Sequence, residues 1–135
     1  MKNILTLLLL ISISHVFAQT TSSGIASQTI KDPVASVAGS SGGKIAATIF
    51  KAAKKINVNG PDTSAAVTSY TIYFQGKGFE TAAGFLTDVK SNLFTKDVLR
   101  LFERCQPGTF VTIDDIKVMS GNVIKKVPTL NFIRQ

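Results

Sequence analysis

Histidine is nearly absent from this chain. The only one among its 135 residues is His15, close to the N-terminus, and residues 1–18 read as a removable leader. What remains has no imidazole, which excludes Ser-His-Asp and Cys-His nucleophile systems, because both need it as the base. Cysteine is as scarce: Cys105 alone forms no internal disulfide, and one thiolate without histidine cannot fill the tetrahedral shell of zinc. Tryptophan is missing altogether. Acidic residues number 8 against 15 lysines and arginines, for a formal net charge of +7. The single acidic pair, Asp114-Asp115, falls on a strand-like stretch where neighbours point to opposite faces, so the two carboxylates are not expected to converge. Glu80, Asp88 and Glu103 have no partner carboxylate in the pattern for acid–base work. No catalytic constellation, cofactor site or metal site is expected.

Long apolar runs are missing after the start. Lys2, then Ile4 to Ile13, then Val16-Phe17-Ala18 have the three parts of a secretory signal, with cleavage expected after Ala18. A membrane-spanning helix needs about 20 apolar residues, roughly twice this run, and no lipid-accepting cysteine follows it. The expectation is a soluble domain outside the cytoplasm, periplasmic or secreted. Residues 19–32 (QTTSSGIASQTIKD) are polar and rich in Ser and Thr, which suits a flexible lead-in. The rest, 33–135, is one domain's length and enough to bury a core without disulfides. An exported basic chain without tryptophan or an RNA-reading motif is not expected to meet nucleic acid.

The domain's pattern is mostly that of strands. Pro33–Ala38 is a short strand closed by the loop Gly39–Gly43, and Ala46–Ala53 suits one or two helical turns carrying Ile49 and Phe50 inward. Ala66–Gln75 is the clearest strand, with Tyr70, Ile72 and Phe74 on one face and Ser69, Thr71 and Tyr73 on the other. Glu80–Leu86 is expected to follow it in the same sheet. Phe110–Ile113, Ile116–Met119, Val123–Val127 and Thr129–Ile133 are further strands, with a turn at Ser120-Gly121-Asn122. One longer helix interrupts them at Lys96–Cys105. Thr95 is its N-cap, Phe94 can staple onto Leu99, and Val98, Leu101, Phe102 and Cys105 make one apolar face before Pro107-Gly108 stops it. Short strands with one covering helix, about 96–105, point to a β-sandwich-like domain.

Glycine-rich stretches do not make nucleotide sites here. In Gly39–Lys44 (GSSGGK) the lysine falls one position early for a phosphate loop, and Ile45 replaces the hydroxyl that Mg²⁺ requires. Gly76-Lys77-Gly78 lacks a third glycine and reads as a hairpin turn. Cys105, on the helix's apolar face, reads as a packing residue. Two basic clusters remain, Lys51 with Lys54 and Lys55, and the pair Lys125-Lys126. These lysines, with Tyr73 and its neighbours Thr71 and Ser69 on the free face of the clearest strand, are the candidate partner contacts.

The ordered run of motifs resembles the C-terminal domain of the gliding-motility protein GldM (PorM in non-gliding relatives). It begins at Pro33-Val34-Ala35, Gly39 and Gly42-Gly43-Lys44-Ile45 and continues through Val67–Thr71, Asn92–Thr95 and Pro107-Gly108. It ends with Asp114–Lys117, a hairpin and Val127-Pro128. The resemblance implies an immunoglobulin-like β-sandwich, a periplasmic location and a docking role in the type IX secretion system, without catalytic residues. The chain departs from that plan in having a leader where those relatives have a membrane helix. It also has Ser120-Gly121-Asn122 where they have Pro-Asp-Gly, and no aromatic strand over Lys54–Asn59. The expected function is a stand-alone, non-catalytic binding or scaffold module that meets an envelope protein. The alternative is a basic module that binds an anionic envelope polymer.

Overall fold

The computed structural model describes residues 32–82 and 84–135, so the expected leader (1–18) and nearly all of the expected lead-in (19–32) fall outside the described part. The described residues form eight strands and two helices. The strands are β1 (Val34–Val37), β2 (Gly43–Ile45), β3 (Ile56–Asn59), β4 (Ala66–Gln75), β5 (Gly84–Val89), β6 (Phe110–Ser120), β7 (Val123–Lys126) and β8 (Leu130–Arg134). The helices are α1 (Ala47–Ala52) and α2 (Lys96–Arg104). One sheet has the order β2-β8-β6-β4-β5, with β7 also paired to β6; a second consists of β1 and β3. Only β2 and β8 run parallel. The fold is therefore β-rich, with two sheets and two helices.

Alternation decides which face of the large sheet is covered. Ile72 and Phe74 of β4, Val111 and Ile113 of β6, and Leu130 and Phe132 of β8 sit opposite one another in register and are all buried. α2 closes over them. The Thr95 hydroxyl accepts from the Val98 amide at 3.4 Å, satisfying one free donor of its first turn, and Val98, Phe102 and Cys105 turn inward. Phe102 meets Phe74 at 5.4 Å, Phe94 at 5.0 Å and Phe50 at 4.2 Å between ring centroids. α1 has no side-chain cap and is too short to stand alone; Phe50, wedged between Phe102 and Phe132, holds it in place. α1 thus joins the single covering helix expected from the pattern. Ala35, Val37 and Ile56 bring the β1–β3 ribbon into the same core.

Several boundaries differ from expectation for visible reasons. The strand expected at Glu80–Leu86 starts only at Gly84, because Phe79 is withdrawn to stack on Phe74 at 5.3 Å, and the Arg104 guanidinium lies 4.4 Å above its ring. Gly76-Lys77-Gly78 therefore opens a longer connection, not a tight hairpin. Gly78 has φ +88°, and a Cβ there would fall 2.3 Å from the Arg104 carbonyl oxygen, so the position requires glycine. The two strands expected at Phe110–Ile113 and Ile116–Met119 are one, β6, with a bulge at Asp115. A strand, β3, also forms without aromatics in Lys54–Asn59. Ile56 is buried, its amide donates to the Asn92 carbonyl at 2.9 Å, and the Phe94 amide donates to that of Lys54 at 2.9 Å.

Candidate functional site

The helices and the small ribbon share a core with one face of the large sheet, and they leave its other face bare. On that outer face Phe85 of β5 lies opposite Tyr73 of β4, and Tyr73 opposite Thr112 of β6. Phe110 is opposite Gln75 and Ile133, so Phe85, Tyr73, Phe110 and Ile133 run diagonally across four strands. Phe85 is 58% exposed, Phe110 52% and Tyr73 38%. Gln75, Thr112 and Asn131 interleave with them, and Lys44 of β2 sits beside Ile133.

Tyr73 stands on this face as expected, but Ser69 and Thr71 do not serve it, since both are buried. Both lie where the pairing of β4 with its two neighbours is irregular. Asp88 on β5 has φ +51° and Asp115 on β6 has φ +47°, and each adds a residue opposite β4. The Asp88 amide donates to the Thr71 hydroxyl, which removes that hydroxyl from the surface.

The bulge on β6 falls within the acidic pair Asp114-Asp115. With Ile113 and Ile116 both buried, the extra residue puts neither carboxylate in the core. Asp114 accepts from the Thr129 hydroxyl at 2.7 Å, and Asp115 pairs with Lys117 at 3.2 Å and Lys126 at 3.3 Å. The Thr129 hydrogen bond holds Asp114 below the usual carboxylate range; bonds from Lys117 and then Lys126 do the same for Asp115. Lys126 therefore belongs to a neutralised group. Lys125 is half-buried, lining a small pocket with Pro33, Pro61 and Asp62.

The other basic cluster divides. The charges of Arg134 and of Lys51, on α1, both favour the thiolate of Cys105. Burial outweighs those charges and pushes the thiol up to about 11, as suits a packing residue. Lys54 and Lys55, by contrast, line a groove with Ala38, Ile49, Ala52, Ala53, Asn57 and Leu93. Ile49, expected to face inward, is 50% exposed, and Leu93 is 53% exposed. In the sequence α1 offers only Phe50 and Ile49 as large apolars, and adjacent helix positions cannot share one face. That geometric signal was available for Ile49. Leu93 has none, because its exposure comes from the Lys55–Leu93 bridge and from the Tyr70 hydroxyl donating to its carbonyl at 3.1 Å. The two basic clusters lie at opposite ends of β3, near Lys55 and near Gly60, and do not converge.

Among the described residues no group of three or more His, Cys, Asp or Glu is placed to hold a metal, and no helix is long and apolar enough to cross a membrane. The sequence matches no protein-family model and no curated protein.

Proposed function

We propose that the chain is a non-catalytic binding or scaffold module, working in the periplasm or outside the cell and docking on an envelope protein. The observation that carries this reading is the diagonal of Phe85, Tyr73, Phe110 and Ile133 on the uncovered face of the large sheet. Large aromatic side chains left in water at adjacent positions are a surface that gains by being covered. The resemblance to the C-terminal domain of GldM and PorM supports the same reading. It suggests an immunoglobulin-like sandwich as the finer description of the fold and the type IX secretion or gliding machinery as the setting. The leader-like residues 1–18 support export.

A photoreactive residue placed at Phe110 in intact cells tests the proposal. A discrete protein adduct is expected from position 110 and none from Glu103, which is exposed on α2. Turnover of an envelope substrate by the purified chain, abolished by one substitution, would overturn it. The net charge of +7 favours a second reading, binding of an anionic envelope polymer. Binding of that kind weakens steeply with ionic strength, whereas a packed protein interface does not.

A further inference from the structure

The groove between α1, the β1 turn and the segment before α2 is separate from the outer sheet face. Its apolar lining is Ile49, Leu93, Ala38, Ala52 and Ala53, with Asn57 beside them. Lys54 and Lys55 line it, no carboxylate does, and no ion pair among the described residues uses either lysine. Its parts are fixed in place. The backbone of Lys54 and Ile56 is bonded to that of Phe94 and Asn92, and Val37 and Ser40 exchange bonds of 2.8 and 2.9 Å across the Ala38-Gly39 turn. The site is preformed, so an occupant has little ordering of the protein to offset.

We infer that this groove receives a segment of a partner protein in which a bulky aliphatic or aromatic side chain is flanked by carboxylates. The apolar residue would seat between Ile49 and Leu93, and the carboxylates would meet Lys54 and Lys55. The inference rests on the binding-module reading and names a second surface for it. Charge selects this occupant over the others available. A second copy of the chain brings its own excess of lysine and arginine. Residues 19–31 contain no Asp or Glu, and they join the described part at Asp32, near Gly60 and thus at the far end of the β1–β3 ribbon. A lipid surface calls for a broad apolar face, whereas the large apolar side chains lining this groove are only Ile49 and Leu93. Backbone bonds are not the main attraction, because β3 is already paired to β1 and tethered to Asn92. The recognition is therefore by side chains, with the lysines steering approach and setting the sign of the partner.

The test is selection of a random peptide library displayed on phage against the full exported chain. Enriched sequences are expected to place Asp or Glu beside Leu, Ile, Met or Phe. A synthetic peptide of the winning sequence should bind about tenfold or more weakly to Lys54→Gln/Lys55→Gln, and likewise to Leu93→Ser, with raised salt weakening the wild-type complex. Circular dichroism and thermal melting of each variant separate lost binding from lost folding. The exposed Lys54 and Lys55 change gives a variant whose fold is not in question. Enriched peptides without acidic residues, unchanged affinity in the lysine variant, or no enrichment over background would each overturn the inference. So would Lys54- and Lys55-dependent binding to vesicles containing phosphatidylglycerol that is absent on vesicles of phosphatidylcholine alone. Peptides that depend instead on Tyr73 and Phe110 would sink the groove while leaving the binding-module reading intact. Failure of both surfaces would sink both.

Discussion

On the inner face of the six-stranded sheet, Phe74 and Phe132 disappear beneath Phe102 and Phe50; on the outer face, Phe85 and Phe110 stand in water. All four belong to the same sheet, and the side chain is the same. What differs is that α1, α2 and the β1–β3 ribbon all contribute to the inner core. Burial of an aromatic ring inside makes the fold, and exposure of one outside makes a surface whose favourable burial is still to come. The first is a matter of stability and the second of contact, and substitutions should separate them.

The largest separation is expected at Phe102. It touches three other aromatic rings and is almost wholly buried, so Phe102→Ala should cost about 3–5 kcal/mol in urea unfolding. A cost near that of an exposed residue would mean that α2 does not close the core. A smaller loss is expected from Thr109, a buried hydroxyl at the rim between the two faces. It accepts from the Gln106 amide at 2.8 Å and can donate to the carbonyl of Lys77 or Gln106, which ties the loop after α2 to the loop after β4. Thr109→Val keeps the shape and leaves the amide without its partner, so about 1–3 kcal/mol should be lost. A neutral result would show that the amide finds another acceptor.

The inner face could be read from the sequence and much of the rest could not. Alternation in Ala66–Gln75 gave β4 with its bounds, and the cap at Thr95 with the apolar spacing after it gave α2, because both signals are local. Phe79, Asp88 and Asp115 escaped for the opposite reason. Phe79, just before the strand expected at Glu80–Leu86, stacks on Phe74 of β4, and the two aspartates take left-handed backbone that only their neighbours' register explains. The candidate contacts fared unevenly. Tyr73 was placed on the free face by alternation alone, whereas the separation of Lys51 from Lys54 and the neutralisation of Lys126 depend on where α1 ends and on a bulge. The outward turn of Ile49 had a signal in the sequence, whereas its meeting with Leu93 comes only from the fold.

The smallest effect on stability is expected on the outer face, and there its smallness is the point. Phe85 and Phe110 sit on different strands, with Tyr73 between them, and neither contributes to the core. Each gives up strand propensity and some cross-strand contact when changed to Ser, so single variants should lose no more than about 1 kcal/mol. The double variant Phe85→Ser/Phe110→Ser should melt nearly as the native chain does, with losses that add, because the residues do not meet. Contact should respond quite differently. An interface seated on this diagonal loses two of its large anchors at once, so affinity for the crosslinked partner should fall about a hundredfold or more while the fold stays intact. Loss of stability comparable to that of Phe102→Ala would show the outer rings to be structural. Unchanged affinity in a well-folded double variant would move the contact off this face.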